Sequence, residues 1–121
     1  MVALPSFILL SAAVALGVVL GLQYLRGERS SPLVMGAHLL LGAGGLETIA
    51  MLLRGTPDGT VAEAGSLGRL AAMCLLGGMA SGLLAPMIGR RSVQTMNVAL
   101  ITHIGVAAAG FLLFLGWMLR L

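Results

Sequence analysis

Residues Leu33–Leu53 read LVMGAHLLLGAGGLETIAMLL, a run whose only ionisable groups are His38 and Glu47. At about 1.5 Å of rise per helical residue, such a run spans the roughly 30 Å hydrocarbon core of a bilayer. Three more stretches have the same character: Pro5 to Leu25, Leu67 to Ile88 and Met96 to Leu119. The chain is 59% hydrophobic and 9% charged, too little charge to cover the surface of a soluble domain of 121 residues. The expected fold is therefore all-α: an integral membrane four-helix bundle in one domain over 1–121, with helices at about 5–25, 33–53, 67–88 and 96–119.

Short connections impose the topology. Arg26–Pro32 and Gly89–Thr95 leave no room for a return crossing, so consecutive helices run antiparallel, up-down-up-down. The middle link carries the turn signal Thr56-Pro57-Asp58-Gly59-Thr60. The first stretch reads as a membrane helix and not as a cleaved leader. It has no basic residue ahead of it, its apolar run is long, and Arg26 and Arg29 follow as a stop-transfer flank.

The net charge of +3 comes from arginine alone among the cations, and the arginines sit at helix ends where headgroup anchors belong. No aromatic and basic cluster accompanies them, which excludes nucleic acid as a partner. Four arginines (Arg26, Arg29, Arg90, Arg91) lie on one side and three (Arg54, Arg69, Arg120) on the other. That bias puts both termini outside the cytoplasm, and the lack of any organelle signal favours a bacterial inner membrane. The lone Cys74 excludes an intrachain disulfide.

Each half of the chain carries one histidine followed by the same pattern, His-x3-small-x2-Gly. His38 precedes Gly42 and Gly45, and His103 precedes Ala107 and Gly110, all at an offset of 65 residues. The offset also maps Gly17 onto Gly82 and Arg26 onto Arg91, as a duplicated two-helix hairpin would. On a helix, positions +4 and +7 share the face of the starting residue, so each histidine stands above a strip without bulky side chains.

A histidine within a bilayer is costly unless hydrogen-bonded or ligated. Two at matched depth on opposing helices are what bis-histidine ligation of haem b requires, with the small strips against the porphyrin and Arg26 and Arg91 near the propionates. Phe114 and Trp117 lie further along the His103 face. In arrangement the chain is similar to four-helix b-type cytochromes, an architectural likeness with no sequence motif behind it. The implied role is an electron-transfer subunit serving a quinone or redox partner, not a stand-alone enzyme.

The alternatives are a cofactor-free structural or assembly subunit of a larger complex or homo-oligomer, and a small proton-linked transporter. In the cofactor-free case the histidines donate to a neighbouring carbonyl or hydroxyl, with Thr102 and Ser81 as candidates. Methionine beside histidine, as at Met35 and His38, would suit Cu(I), but the remaining methionines follow no repeated spacing. Glu47 lies nine residues past His38 on the opposite helix face, where it pairs internally, carries a proton or meets another subunit. No catalytic triad, phosphate loop or nucleotide fingerprint is present.

Overall fold

The structure, a computed structural model, describes residues 2–55 and 65–121. These form four helices: α1 (Leu4–Leu25), α2 (Pro32–Arg54), α3 (Ser66–Ile88) and α4 (Val93–Met118). All four are long and apolar enough to cross a membrane, so the protein has the all-helical membrane fold its composition demands. Leu33, Leu40, Ile101 and Leu112 are among many large apolar side chains on the exterior, a surface suited to lipid and not to water. The turn signal at Thr56–Thr60 lies outside the described residues.

Helix ends are set by local chemistry. After α1, Gly27 takes φ +69 in the left-handed region, and the Glu28 N–H donates to the Gln23 carbonyl, closing the helix. Ser92 starts α4: its Oγ accepts from the Thr95 N–H at 3.1 Å. This cap places the start of α4 three residues ahead of Met96, where hydropathy alone puts it, because Gln94 and Thr95 are polar yet helical.

The chain divides into two compact units, Met1–Ile49 and Ala50–Leu121. In the first, contacts run from Gly17 with His38 to Leu10 with Gly45, descending on α1 as they ascend on α2, so the pair is antiparallel. In the second, α3 and α4 are antiparallel in the same way, from Gly82 with His103 through Gly78 with Ala107 to Gly68 with Trp117.

Close approach at small residues holds each pair, as expected where lipid removes the hydrophobic drive for helix association. A Cβ on Gly45 would lie 2.6 Å from Leu10 Cδ2, and one on Gly110 would lie 2.9 Å from the Leu75 backbone nitrogen. Both contacts recur at the offset of 65, Leu10 becoming Leu75 and Gly45 becoming Gly110. Burial recurs likewise: Ser6 and Ala71, Ala13 and Gly78, and Ile49 and Phe114 are all buried.

The Gly110 contact is with backbone, which cannot swing aside. Gly110→Ala should therefore destabilise the protein by about 1–3 kcal/mol. Gly105→Ala, where nothing lies within 4 Å of the added carbon, should be near neutral. Thermal unfolding in detergent measures both, and equal midpoints would contradict this packing.

Candidate functional site

His38 sits on the face of α2 turned to α1. Its Nδ1 lies 2.8 Å from the Ala13 carbonyl oxygen, and its ring lies over Gly17, where a Cβ would approach Cε1 to 3.0 Å. His103 repeats the arrangement. Its Nδ1 lies 2.7 Å from the Gly78 carbonyl oxygen, and a Cβ on Gly82 would come within 2.7 Å of Cε1. Each hydrogen bond spans 25 residues of chain and each ring rests on a glycine. Both imidazoles are half-buried.

A carbonyl oxygen only accepts, so Nδ1 is the donor in both bonds. In a neutral imidazole the lone pair is then on Nε2, the tautomer found when a histidine ligates a metal while a backbone carbonyl orients it. Gly78 O also accepts from the Ser81 hydroxyl at 2.9 Å, and Ser81 Oγ lies 3.5 Å from His103 Nδ1. The position 65 residues before Ser81 is Leu16, so this auxiliary hydroxyl belongs to the second unit alone. Thr102 turns away, donating to Val98 O of its own helix.

The residues named with the histidines separate into two groups. Gly45, Ala107 and Gly110 face the paired helix and are occupied by packing: Gly45 against Leu10, Ala107 against Gly78, Gly110 against Leu75 and Cys74. Gly42 is different, with nothing within 4 Å of where its Cβ would stand. The small strips thus serve contact within each hairpin over most of their length. Arg26 and Arg91 are exposed at the ends of their hairpins, as are Arg29 and Arg90.

Along their own helices the histidines differ in position. His38 is six residues past Pro32 and His103 ten past Val93, about 9 and 15 Å from the helix starts. The earlier start of α4 accounts for most of the difference from the matched depth read from hydropathy.

Phe114 is enclosed in the core of its unit, while Trp117 borders a cavity of about 180 Å³ with Gly65, Ser66, Leu67, Arg120 and Leu121. Phe114 is 0% exposed, its ring centroid 6.4 Å from Phe111 and 6.3 Å from Trp117, the latter edge-on. Trp117 is buried over Gly68. Glu47 is exposed on α2. Among the described residues no three histidine, cysteine or carboxylate side chains cluster as a bare metal ion would need.

Hydropathy and spacing could not show that the acceptors are the carbonyls of Ala13 and Gly78, because a backbone acceptor leaves no residue signature. Gly17 and Gly82 did carry a signal, since the offset of 65 pairs them, yet helix packing sufficed to explain them. Nitrogen-15 spectra of histidine-labelled protein should show both neutral rings as the Nδ1–H tautomer; an Nε2–H ring at either position would contradict the hydrogen bonds described. No family model, curated protein or solved structure matches the chain, so its own residues carry any functional reading.

Proposed function

We propose that the chain is a small membrane-embedded, b-type cytochrome-like subunit that ligates haem b through Nε2 of His38 and Nε2 of His103. The supporting observation is the twice-made seat: an imidazole laid on glycine, its Nδ1–H held by a carbonyl 25 residues earlier. Such a hydrogen bond sets the tautomer, restrains the ring and raises its basicity as a ligand. A structural histidine needs only some partner; the same partner geometry, made twice, is what a pair of axial ligands requires.

The donor set suits haem iron, which takes two neutral imidazoles and, when bound, supplies a one-electron carrier. The chain's residues orient the ligating nitrogens, keep water from them with apolar helices, and present Arg26, Arg29, Arg90 and Arg91 as cations for carboxylate groups. Of the small residues flanking the histidines, Gly42 retains space for a planar group. The electron partner is a quinone or a redox protein in a larger assembly. The membrane is a bacterial inner membrane, a reading supported by the lack of an organelle signal, with both termini outside on the arginine bias.

A second reading has its own observation. The same two hydrogen bonds satisfy the imidazoles without any cofactor, and Gly45, Ala107 and Gly110 are taken up by packing. Both belong equally to a structural or assembly subunit docked on a larger membrane complex. A proton-linked transporter would have to place Glu47 in a pathway assembled from several copies.

A reduced-minus-oxidised visible spectrum separates these readings. Protein purified from haem-replete cells should show a b-type signal that His38→Ala and His103→Ala each abolish or shift to a high-spin form. Wild-type protein without haem absorbance, or a signal unchanged in the double variant, would overturn ligation by His38 and His103.

A further inference from the structure

Thr48, Thr102 and Ser81 each donate to a carbonyl of their own helix: to Gly45 O at 2.7 Å, to Val98 O at 2.8 Å and to Gly78 O at 2.9 Å. A hydroxyl within a helix commonly satisfies itself in this way. Ser81 differs in the carbonyl it meets. Of these three acceptors, Gly78 O is also the oxygen that holds an imidazole, His103 Nδ1 lying 2.7 Å away.

The other hairpin supplies the comparison. His38 Nδ1 lies 2.8 Å from Ala13 O, and the residue three beyond Ala13 is Leu16, which has no hydroxyl. Reach is therefore alike in the two seats, and the demand on the acceptor is not. A carbonyl oxygen has two lone pairs. Donors that occupy both draw on one charge density, so each bond is weaker than if it were made alone. This is the reverse of the mutual strengthening found in chains of hydrogen bonds.

We propose that Ser81 is a positioning residue that acts on His103 through Gly78 O, weakening the pull on its Nδ1 proton and making the two imidazoles unequal ligands. The chemistry at Nε2 follows. A strong acceptor at Nδ1–H gives the ring imidazolate character, which favours ferric iron. A shared acceptor gives less of it, so the hydroxyl raises the midpoint potential of haem held there. That consequence rests on the haem reading above; the sharing of the carbonyl does not.

The test begins without haem. Solid-state spectra of histidine-labelled protein in phosphatidylcholine vesicles resolve the proton on each Nδ1. Ser81→Ala, which removes the hydroxyl and little else, should move the His103 proton downfield and leave that of His38 in place. Ser81→Thr, which keeps a hydroxyl, should restore the wild-type position. Thr102→Val removes the hydroxyl that bonds to Val98 O, beside His103 in the chain, and should move neither proton. In haem-loaded protein Ser81→Ala should lower the midpoint potential, with Ser81→Thr and Thr102→Val close to wild type. A His103 proton that stays in place or moves upfield in Ser81→Ala would overturn the proposal, whether or not haem is bound. A downfield move in protein that takes up no haem upholds the sharing and counts against ligation alone. A potential raised or unchanged by Ser81→Ala, with the proton shifted, would overturn the consequence for the iron.

Discussion

The governing constraint is that a bilayer interior offers no water. Any nitrogen or oxygen placed there must find its partner within the protein, and helices must hold together without the hydrophobic effect between them. Both demands are met here by the same device. Glycines on one helix let its partner come close, and that proximity brings a backbone carbonyl within 2.7–2.8 Å of an imidazole nitrogen. The hydrogen bond itself is modest, averaging about 0.6 kcal/mol between membrane helices and reaching about 1.7. Its larger consequence is orientation: a bond at Nδ1 restrains the ring and fixes its tautomer.

Repetition gives that device its meaning. The two units agree at several contacts and buried positions and in how the imidazole is seated, and they differ in what surrounds it. Ser81 adds a hydroxyl to the second seat, where the first has Leu16; Phe114 and Trp117 fill the second core where Ile49 and Leu52 stand at the equivalent positions of the sequence. Glu47 marks the first unit, where Leu112 marks the second. What is shared concerns the imidazoles, and what differs concerns how each hairpin is packed or what it meets. The proposed haem ligation would use the shared part.

Much of this was legible in the sequence. Four apolar runs separated by short basic links leave few alternatives to membrane helices, and their bounds fall within one or two residues except at α4. There the polar first turn is helical because Ser92 caps it, a feature hydropathy does not register. The histidines stand out because few residue types are so costly in lipid. Their partners could not be read, since Ala13 and Gly78 contribute carbonyls and their side chains say nothing. The strips beside the histidines misled in part: a small residue lets either a ligand or a helix approach, and at Gly45, Ala107 and Gly110 the helix is there.

The most direct test is the spin state and stoichiometry of haem bound by the purified chain. Ferric haem titrated into the apoprotein in lipid nanodiscs should saturate at one equivalent per chain. Low-temperature electron paramagnetic resonance should then show a low-spin, bis-imidazole signal. A high-spin signal from one axial histidine, or haem that partitions into empty nanodiscs equally well, would contradict the account and leave the two imidazoles as structural ties between helices.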